Sequence, residues 1–400
     1  MEPSAFHCLL LINCGLMART GKAGWPLDES LHAELDPCIN DFNTCAGNTE
    51  ILEDVKLTIM EKIMSHPEQQ LLSDWLAQEA AEEVLEPDLA IIDPHHHLWD
   101  IRSFEIQPHA SFQEKVYLCE DISTDIQASG HHITHTVFAQ CGAFYKQAGP
   151  EEMKCVGETE FVQGIVAMSQ SGIYGPTQLC AGIFGSADLR IGKAVQPVLE
   201  AHLRASGNFR GIRSAFPRHL DASFMEGYGV LQKLNLTYDN YSPDHERLPT
   251  LAELARSFPE VPVIVNHLGG KVDHQAGSAA FESWRKNIDA VAGCSNTYMK
   301  VGGGQQRVGP WEPEFHNKHR RAPIHSEELC DLLYPYYSYV IDAFGPERCM
   351  FESNFPVDKE CVSYRTLWNT FKRIAARAGL SDSEKSALFS DTAARVYRLG

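Results

Sequence analysis

After Pro87 the chain settles into a rhythm that few folds can satisfy. Short runs rich in Val, Ile, Phe and Cys, each closing on polar residues or glycine, alternate with stretches carrying apolar residues at helical spacing. Eight runs read as strands: Leu89–Asp93, Thr136–Gln140, Ala181–Gly185, Arg210–Ser214, Leu236–Asn240, Pro262–Asn266, Thr297–Val301 and Cys349–Ser353. Helices are predicted over Gly192–Ser206, Leu251–Ser257, Phe281–Val291, Ser326–Phe344 (interrupted at Pro335) and Tyr364–Ala378. A closing helix is expected over Asp382–Tyr397, with Ser381 and Glu384 spaced as a capping box. Eight β–α units over about 310 residues match an α/β protein of the (β/α)8 TIM barrel type. A doubly wound open sheet uses the same alternation, but it needs a Gly-rich phosphate turn after its first strand. Here histidines stand in that place.

With 400 residues, the chain exceeds the roughly 250–300 that one core usually serves, so an appendage is expected beside the barrel. Residues 1–70 lack the strand–helix rhythm and are read as an N-terminal extension of unknown role, with the barrel over 71–400. Within the extension Asp54–Ser65 could form an amphipathic helix on Val55, Ile59 and Ile63; just after it, a helix over Ser73–Leu85 is expected on Leu76, Ala80 and Val84. Cys8–Ala18 is apolar and of signal-peptide length, yet Glu2 is acidic and no Lys or Arg precedes the run, so the cytoplasm is the expected location. The twelve cysteines form no CxxC pair, and Cys180 and Cys349 read as small core residues. A net charge of −19 without a basic run argues against nucleic acid, and no segment has the 18 or so apolar residues of a membrane span. The partner expected is a small-molecule substrate, and a homo-oligomer stays open.

Three stretches carry chemistry. Directly after the first strand comes Asp93-Pro94-His95-His96-His97-Leu98-Trp99. In extended chain the side-chain period is two, so His95 and His97 share a face and His96 points away. In Val263-Ile264-Val265-Asn266-His267-Leu268-Gly269-Gly270 a buried strand ends on His267. Three neutral imidazoles with an open fourth position make one usual catalytic zinc arrangement. In Cys349-Met350-Phe351-Glu352-Ser353-Asn354-Phe355-Pro356-Val357-Asp358, Glu352 and Asn354 share a face and Asp358 lies four residues on. Barrel active sites are built from the loops after each strand, so parts of the long gaps after strands one, two and seven are expected to roof the pocket. The last gap holds Gly302–Gly304, Trp311, His316, His319 and His325; the glycines lack the tail of a phosphate loop and read as a flexible turn. His131, His132 and His135 flank the opposite end of the second strand and read as solvated.

The strings LEPDLAIIDPHHHLWD, FRGIR, VIVNHLGG, NTYMKVGG and FGPERCMFESNFPVDK together resemble the amidohydrolase superfamily, in its amidohydrolase-2 group of sugar-lactone and dicarboxypyrone lactonases, over about 72–400. The resemblance implies hydrolysis of a cyclic ester or a related bond, with one divalent metal, zinc first, or with none. It carries the first-strand histidines onto His95 and His97, the sixth-strand histidine onto His267 and the eighth-strand aspartate onto Asn354. Asn cannot take a proton from water, and the fifth strand, Leu236-Thr237-Tyr238-Asp239-Asn240-Tyr241, has no histidine, so a binuclear centre is not expected. The catalytic candidates are therefore His95, His97, His267, Asn354 and Asp358, with His95, His97 and His267 as metal ligands. Arg213 and Lys300 are candidates to hold a carboxylate or oxyanion, Lys300 equally a buried ion-pair partner, and Tyr238 and Trp99 are candidate pocket-lining residues. A lactone hydrolase is the first expectation. The alternatives are a non-oxidative decarboxylase of the same superfamily, against which Asn354 counts, and a catalytically silent binding barrel.

Overall fold

The computed structural model describes residues 72–102, 112–242, 244–272, 277–306 and 320–399. The expected extension with its helix over Asp54–Ser65, together with Trp311, His316 and His319, lies outside the described residues. Eight parallel strands form one sheet in sequential order. They are β1 (Ile91–His96), β2 (Ile133–Phe138), β3 (Gln178–Gly185), β4 (Phe209–Ala215), β5 (Thr237–Tyr241), β6 (Val263–Val265), β7 (Thr297–Val301) and β8 (Cys349–Phe351). The sheet curls until its ends nearly meet, with Asn354 N donating to His95 O at 2.9 Å and His97 N to Phe355 O at 2.7 Å. The helices after the strands are α1 (Cys119–Ser129), α2 (Val156–Gln170), α3 (Gln196–Ala205), α4 (Ala222–Lys233), α5 (Leu248–Ser257), α6 (Ala279–Ala292), α7 (Ser326–Phe344) and α8 (Tyr364–Arg377). The arrangement is that of a TIM barrel.

Two apolar layers arise from the period of two along each strand. One set of side chains packs outward beneath the helices, as Val263, Val265, Met299 and Phe351 do. The other set points inward: Ile92, Val137, Phe184, Ile264 and Met350 meet Ala393, Val396 and Tyr397 of the closing helix. The chain's end thus plugs the floor of the barrel. That closing segment begins with the expected capping box of Ser381 and Glu384, but runs as Asp382–Ser386, a π turn at Ala387–Asp391, and Thr392–Tyr397.

Several expectations change. The helix expected over Ser73–Leu85 stops at Leu76, because residues 82–86 are bound by α7 and α8 rather than by one another. Asn369 accepts from Leu85 N and donates to Glu83 O, Lys372 donates to Leu85 O and Glu86 O, and Glu82 accepts from Ser326 N at 2.7 Å. α7 runs through Pro335 without a break. The gaps after β1 and β2 contain α1 and α2, so much of each is helical wall rather than roof. His131 is buried, not solvated: Lys372 Nζ donates to its Nδ1 at 2.9 Å and its ring also bonds Arg365 O. Burial, with Lys372 beside it, lowers its pKa to about 3. All eight described cysteines are free, and Cys180 and Cys349 are core residues.

Candidate functional site

The C-terminal ends of the strands gather the polar residues that the barrel buries. Asp93 anchors the first of them: Oδ1 accepts from Ser353 N (2.9 Å) and His95 N (3.3 Å), and Oδ2 from Ser353 Oγ (2.5 Å) and Tyr364 OH (2.8 Å). It ties β1 to β8 and α8. His95 and His97 fall together as their spacing requires, with ring centroids 4.9 Å apart, while His96 turns away to Thr136 Oγ1 at 2.8 Å. His267 follows just beyond β6, with its ring centroid 4.6 Å from that of His95. The backbone holds His267 at φ 51° and Asn354 at φ 53°, left-handed values that surrounding structure must enforce.

Glu352 lies between the imidazoles. Its Oε1 accepts from His267 Nδ1 at 2.6 Å, and its Oε2 is 2.9 Å from His95 Nδ1, with both residues buried. Ligand atoms of His95, His267 and Glu352 lie within 4.8 Å of one another, a buried cluster whose donors suit a metal ion. His97 Nδ1 donates to Ala139 O at 2.8 Å, which leaves Nε2 bare and facing His95 Nε2 at 3.3 Å. Glu352 and Lys300 (Nζ 3.3 Å away) both approach His95 Nδ1. With the proton on Nδ1 toward Glu352, His95 presents a second bare Nε2, and two lone pairs converge where a cation fits. With the proton on Nε2, His95 instead donates to His97 and accepts from Lys300. Burial first, then the nearby cations, hold His95 and His97 well below the ordinary imidazole pKa, so both rings are neutral near pH 7.

A second layer supports these rings. Lys300 pairs with Asp239 at 2.9 Å in the barrel interior, both fully buried. Asp239 also accepts from Asn266 Nδ2 (2.6 Å) and from Tyr397 OH (3.3 Å), so the plug at the barrel floor reaches the underside of the site. Arg213 lies in the C-terminal part of β4, donating through Nε to Asn266 Oδ1 (3.1 Å) and through Nη1 to Gln140 O (2.8 Å), with its guanidinium 5.0 Å from the centre of the Tyr241 ring. Asn354 Nδ2 donates to Asp358 Oδ1 at 2.9 Å, and Asp358 is fully buried.

The structure brings His95, His97 and His267 together, with Lys300 against His95, and sets Asn354 and Asp358 side by side on the β8 loop. Trp99 stacks on His97 at 6.0 Å and on Phe112 at 5.2 Å, packing the back of the ring. Tyr238 points the other way, as a correction to its reading as a pocket residue: its ring meets Tyr228 of α4 at 5.2 Å, on the helix-facing side of β5. The strand's period of two makes Asp239, not Tyr238, the inward residue. His325 caps α7 and lies 3.3 Å from Glu82, which sits on the outer α7–α8 wall. Sequence reasoning singles out Glu352 only as the neighbour of Asn354 on one face and misses Asp239 and Asn266 as site residues; the signal was the same alternation, which puts Asp239 opposite Tyr238.

The comparisons agree with this fold. The family described as Amidohydrolase, of the amidohydrolase-2 group, matches residues 92–399. A protein of Sinorhizobium fredii, described as the uncharacterized protein y4mH, is 34% identical over 337 residues, 78% of this chain and 99% of its own length. An L-fucono-1,5-lactonase of Burkholderia multivorans is 26% identical over 228 residues, 55% of this chain and 72% of its own. Among solved structures, a Burkholderia multivorans amidohydrolase with bound zinc aligns at TM-score 0.61 and 23% identity over 78% of this chain and all of its own. A Pseudomonas putida protein described as a putative 2-pyrone-4,6-dicarboxylic acid hydrolase aligns at TM-score 0.54 and 17% identity, over 78% of this chain and 98% of its own. By the span of the family match and by the likeness to the Sinorhizobium protein, this chain belongs to the amidohydrolase-2 family.

Proposed function

We propose that this chain is a hydrolase that opens a lactone, of a sugar acid or a carboxylated ring, by attack of water at the C-terminal mouth of the barrel. One observation carries the reading: the 2.6 Å pairing of His267 with the buried Glu352, set beside the convergent rings of His95 and His97. In the proposed mechanism Arg213 binds and orients the substrate through a carboxylate or the ester carbonyl oxygen. His267 accepts the proton of the attacking water at Nε2, and Glu352 stabilises the imidazolium as it forms. The same imidazolium returns its proton to the departing alkoxide oxygen, so the ring opens to a hydroxy acid. Asp358 fixes the amide of Asn354 at the rim, and Asn354 serves as a hydrogen-bonding group, not as a base.

The donor set fits a divalent cation, zinc first. His95 and His97 would hold it through Nε2, with His267 left as the base on Glu352 rather than serving as the third ligand expected from the sequence or as part of the His95–His267–Glu352 cluster; it would supply polarisation of the ester carbonyl and a lowered pKa for water. Lactonase names among relatives and the bound zinc of one similar structure support both choices.

The test is hydrolysis of a panel of sugar-acid and carboxylated lactones followed with a pH indicator, with and without a chelator, against His267→Ala. Turnover is expected in the wild type, with a fall of roughly 100-fold or more in the variant. Equal turnover in the variant would remove His267 from the mechanism. No turnover on any lactone would overturn the lactonase reading, and insensitivity to chelator would overturn the metal.

A further inference from the structure

The loop after β2 carries two carbonyls on which the site leans. Ala139 O accepts from His97 Nδ1, and Gln140 O accepts from Arg213 Nη1, each at 2.8 Å. The loop itself is held from behind by a residue of α2. Glu158 is fully buried, and its Oε1 accepts the successive backbone N–H groups of Cys141 (3.0 Å), Gly142 (2.9 Å) and Ala143 (3.1 Å). Such a cradle of consecutive amides is a concavity that suits an anion, and here the protein's own carboxyl group fills it. A carboxylate is costly to bury unless it is hydrogen-bonded, and an apolar residue in its place would orphan those amides. The bonds of Glu158 therefore set the shape of the loop. Ala139 is held a second time, because its N–H donates to His96 O at 2.8 Å. Gln140 lies between that anchor and the cradle.

We propose that Glu158 is a positioning residue of the site: by fixing the amides of 141–143 it fixes the Gln140 and Ala139 carbonyls, and through them the guanidinium of Arg213 and, less strongly, the ring of His97. That Arg213 and His97 act on a substrate rests on the function proposed above; the positioning itself does not. The chemistry of the loop also sets the order of effects. Arg213 loses its carbonyl partner first, so substrate capture suffers more than the chemical step.

The experiment compares Glu158→Gln, Glu158→Asp and Glu158→Ala in the full chain. Selective 15N labelling reads the Arg213 Nε–H and His97 Nδ1–H resonances, assigned by their loss in Arg213→Lys and His97→Gln, and lactone kinetics are measured alongside. Gln keeps an acceptor oxygen at the cradle, whereas Asp withdraws it by one methylene. The Gln variant is expected to keep both resonances and a KM within about threefold of wild type. The Asp and Ala variants are expected to shift or broaden the Arg213 signal more than the His97 signal and to raise KM roughly tenfold with a smaller fall in kcat. If the Ala variant fails to fold, the Gln and Asp variants decide. A folded Asp variant with both resonances and KM unchanged overturns the proposal, as does a Gln variant that loses them as fully as Asp. If wild type opens no lactone, the function falls while the resonances still decide the role of Glu158.

Discussion

Glu352 is the carboxylate that joins His95 to His267, and the proposed function turns on it. Without it His267 Nδ1 and His95 Nδ1 would lose an acceptor in a buried setting, and an imidazolium forming at His267 would lose the carboxylate paired with it at 2.6 Å. Glu352→Gln keeps the size and removes the charge. Lactone turnover is expected to fall by about 10²–10⁴, the usual contribution of a positioned acid–base pair, with little change in KM; kinetics of the folded variant check this. Arg213→Met removes a charge-assisted contact and should lower kcat/KM for carboxylated lactones by roughly 10- to 100-fold, and for an uncharged lactone by less. A matched pair of substrates with and without a carboxylate decides it. The histidines were legible in the sequence because each closes a β-branched run. Glu352 was legible only as a neighbour of Asn354, since its role depends on two rings brought from β1 and β6.

At the scale of elements, the run Gly302–Gly304 shows why composition misleads. It reads as a flexible turn, but it is packed against the site: a Cβ on Gly302 would come within 2.2 Å of Glu352 Cγ, and one on Gly303 within 2.6 Å of His267 Nδ1. The loop after β7 thus lies backbone-first on the pair proposed to move the proton. Gly302→Ala is expected to destabilise by about 1–3 kcal/mol and to lower turnover beyond what stability explains, by displacing Glu352; a melting curve and kinetics on the same sample test both parts. The same physics hid a helix. α4 contains Gly227 and Gly229, which lower helix propensity, yet a Cβ on Gly227 would lie 2.2 Å from Leu189 O. The glycine marks a close crossing, which only the packed structure reveals. The segment after Leu76 shows the converse, where good helical spacing loses to the hydrogen bonds that Asn369 and Lys372 offer its backbone.

For the whole molecule, burial of titratable groups sets a pH window. His96 and His131 are lowered to about 3 and His202 to about 4, in each case chiefly by burial. These rings stabilise the fold fully above their ordinary pKa of 6.5, and that contribution is lost as pH falls from there toward the folded values. By pH 5 each costs about 2 kcal/mol. Burial raises Glu158 to about 7 and Asp93 to about 6, which works in the opposite sense: their contribution is full below their ordinary carboxylate values and is lost as pH rises through about 7 and 6. Thermal stability is therefore expected to peak slightly on the acid side of neutral and to fall on both sides. Glu158→Gln should flatten the alkaline limb, and His202→Gln the acid limb. A melting temperature that does not vary between pH 5 and 8 would contradict this. Among the described residues no helix is long and apolar enough to cross a membrane. What the sequence determined by itself was local and periodic: eight buried runs, the helices with unbroken apolar spacing, and histidines at strand ends, since hydrophobic period and side-chain alternation act between near neighbours along the chain. What only the tertiary structure decided was which groups meet across the barrel: Glu352 with His95 and His267, Lys300 with Asp239, Tyr397 rising through the floor, and Glu158 behind the β2 loop. Those pairings join residues from different strands and helices, and their energies come from burial and charge that exist only once the barrel has closed.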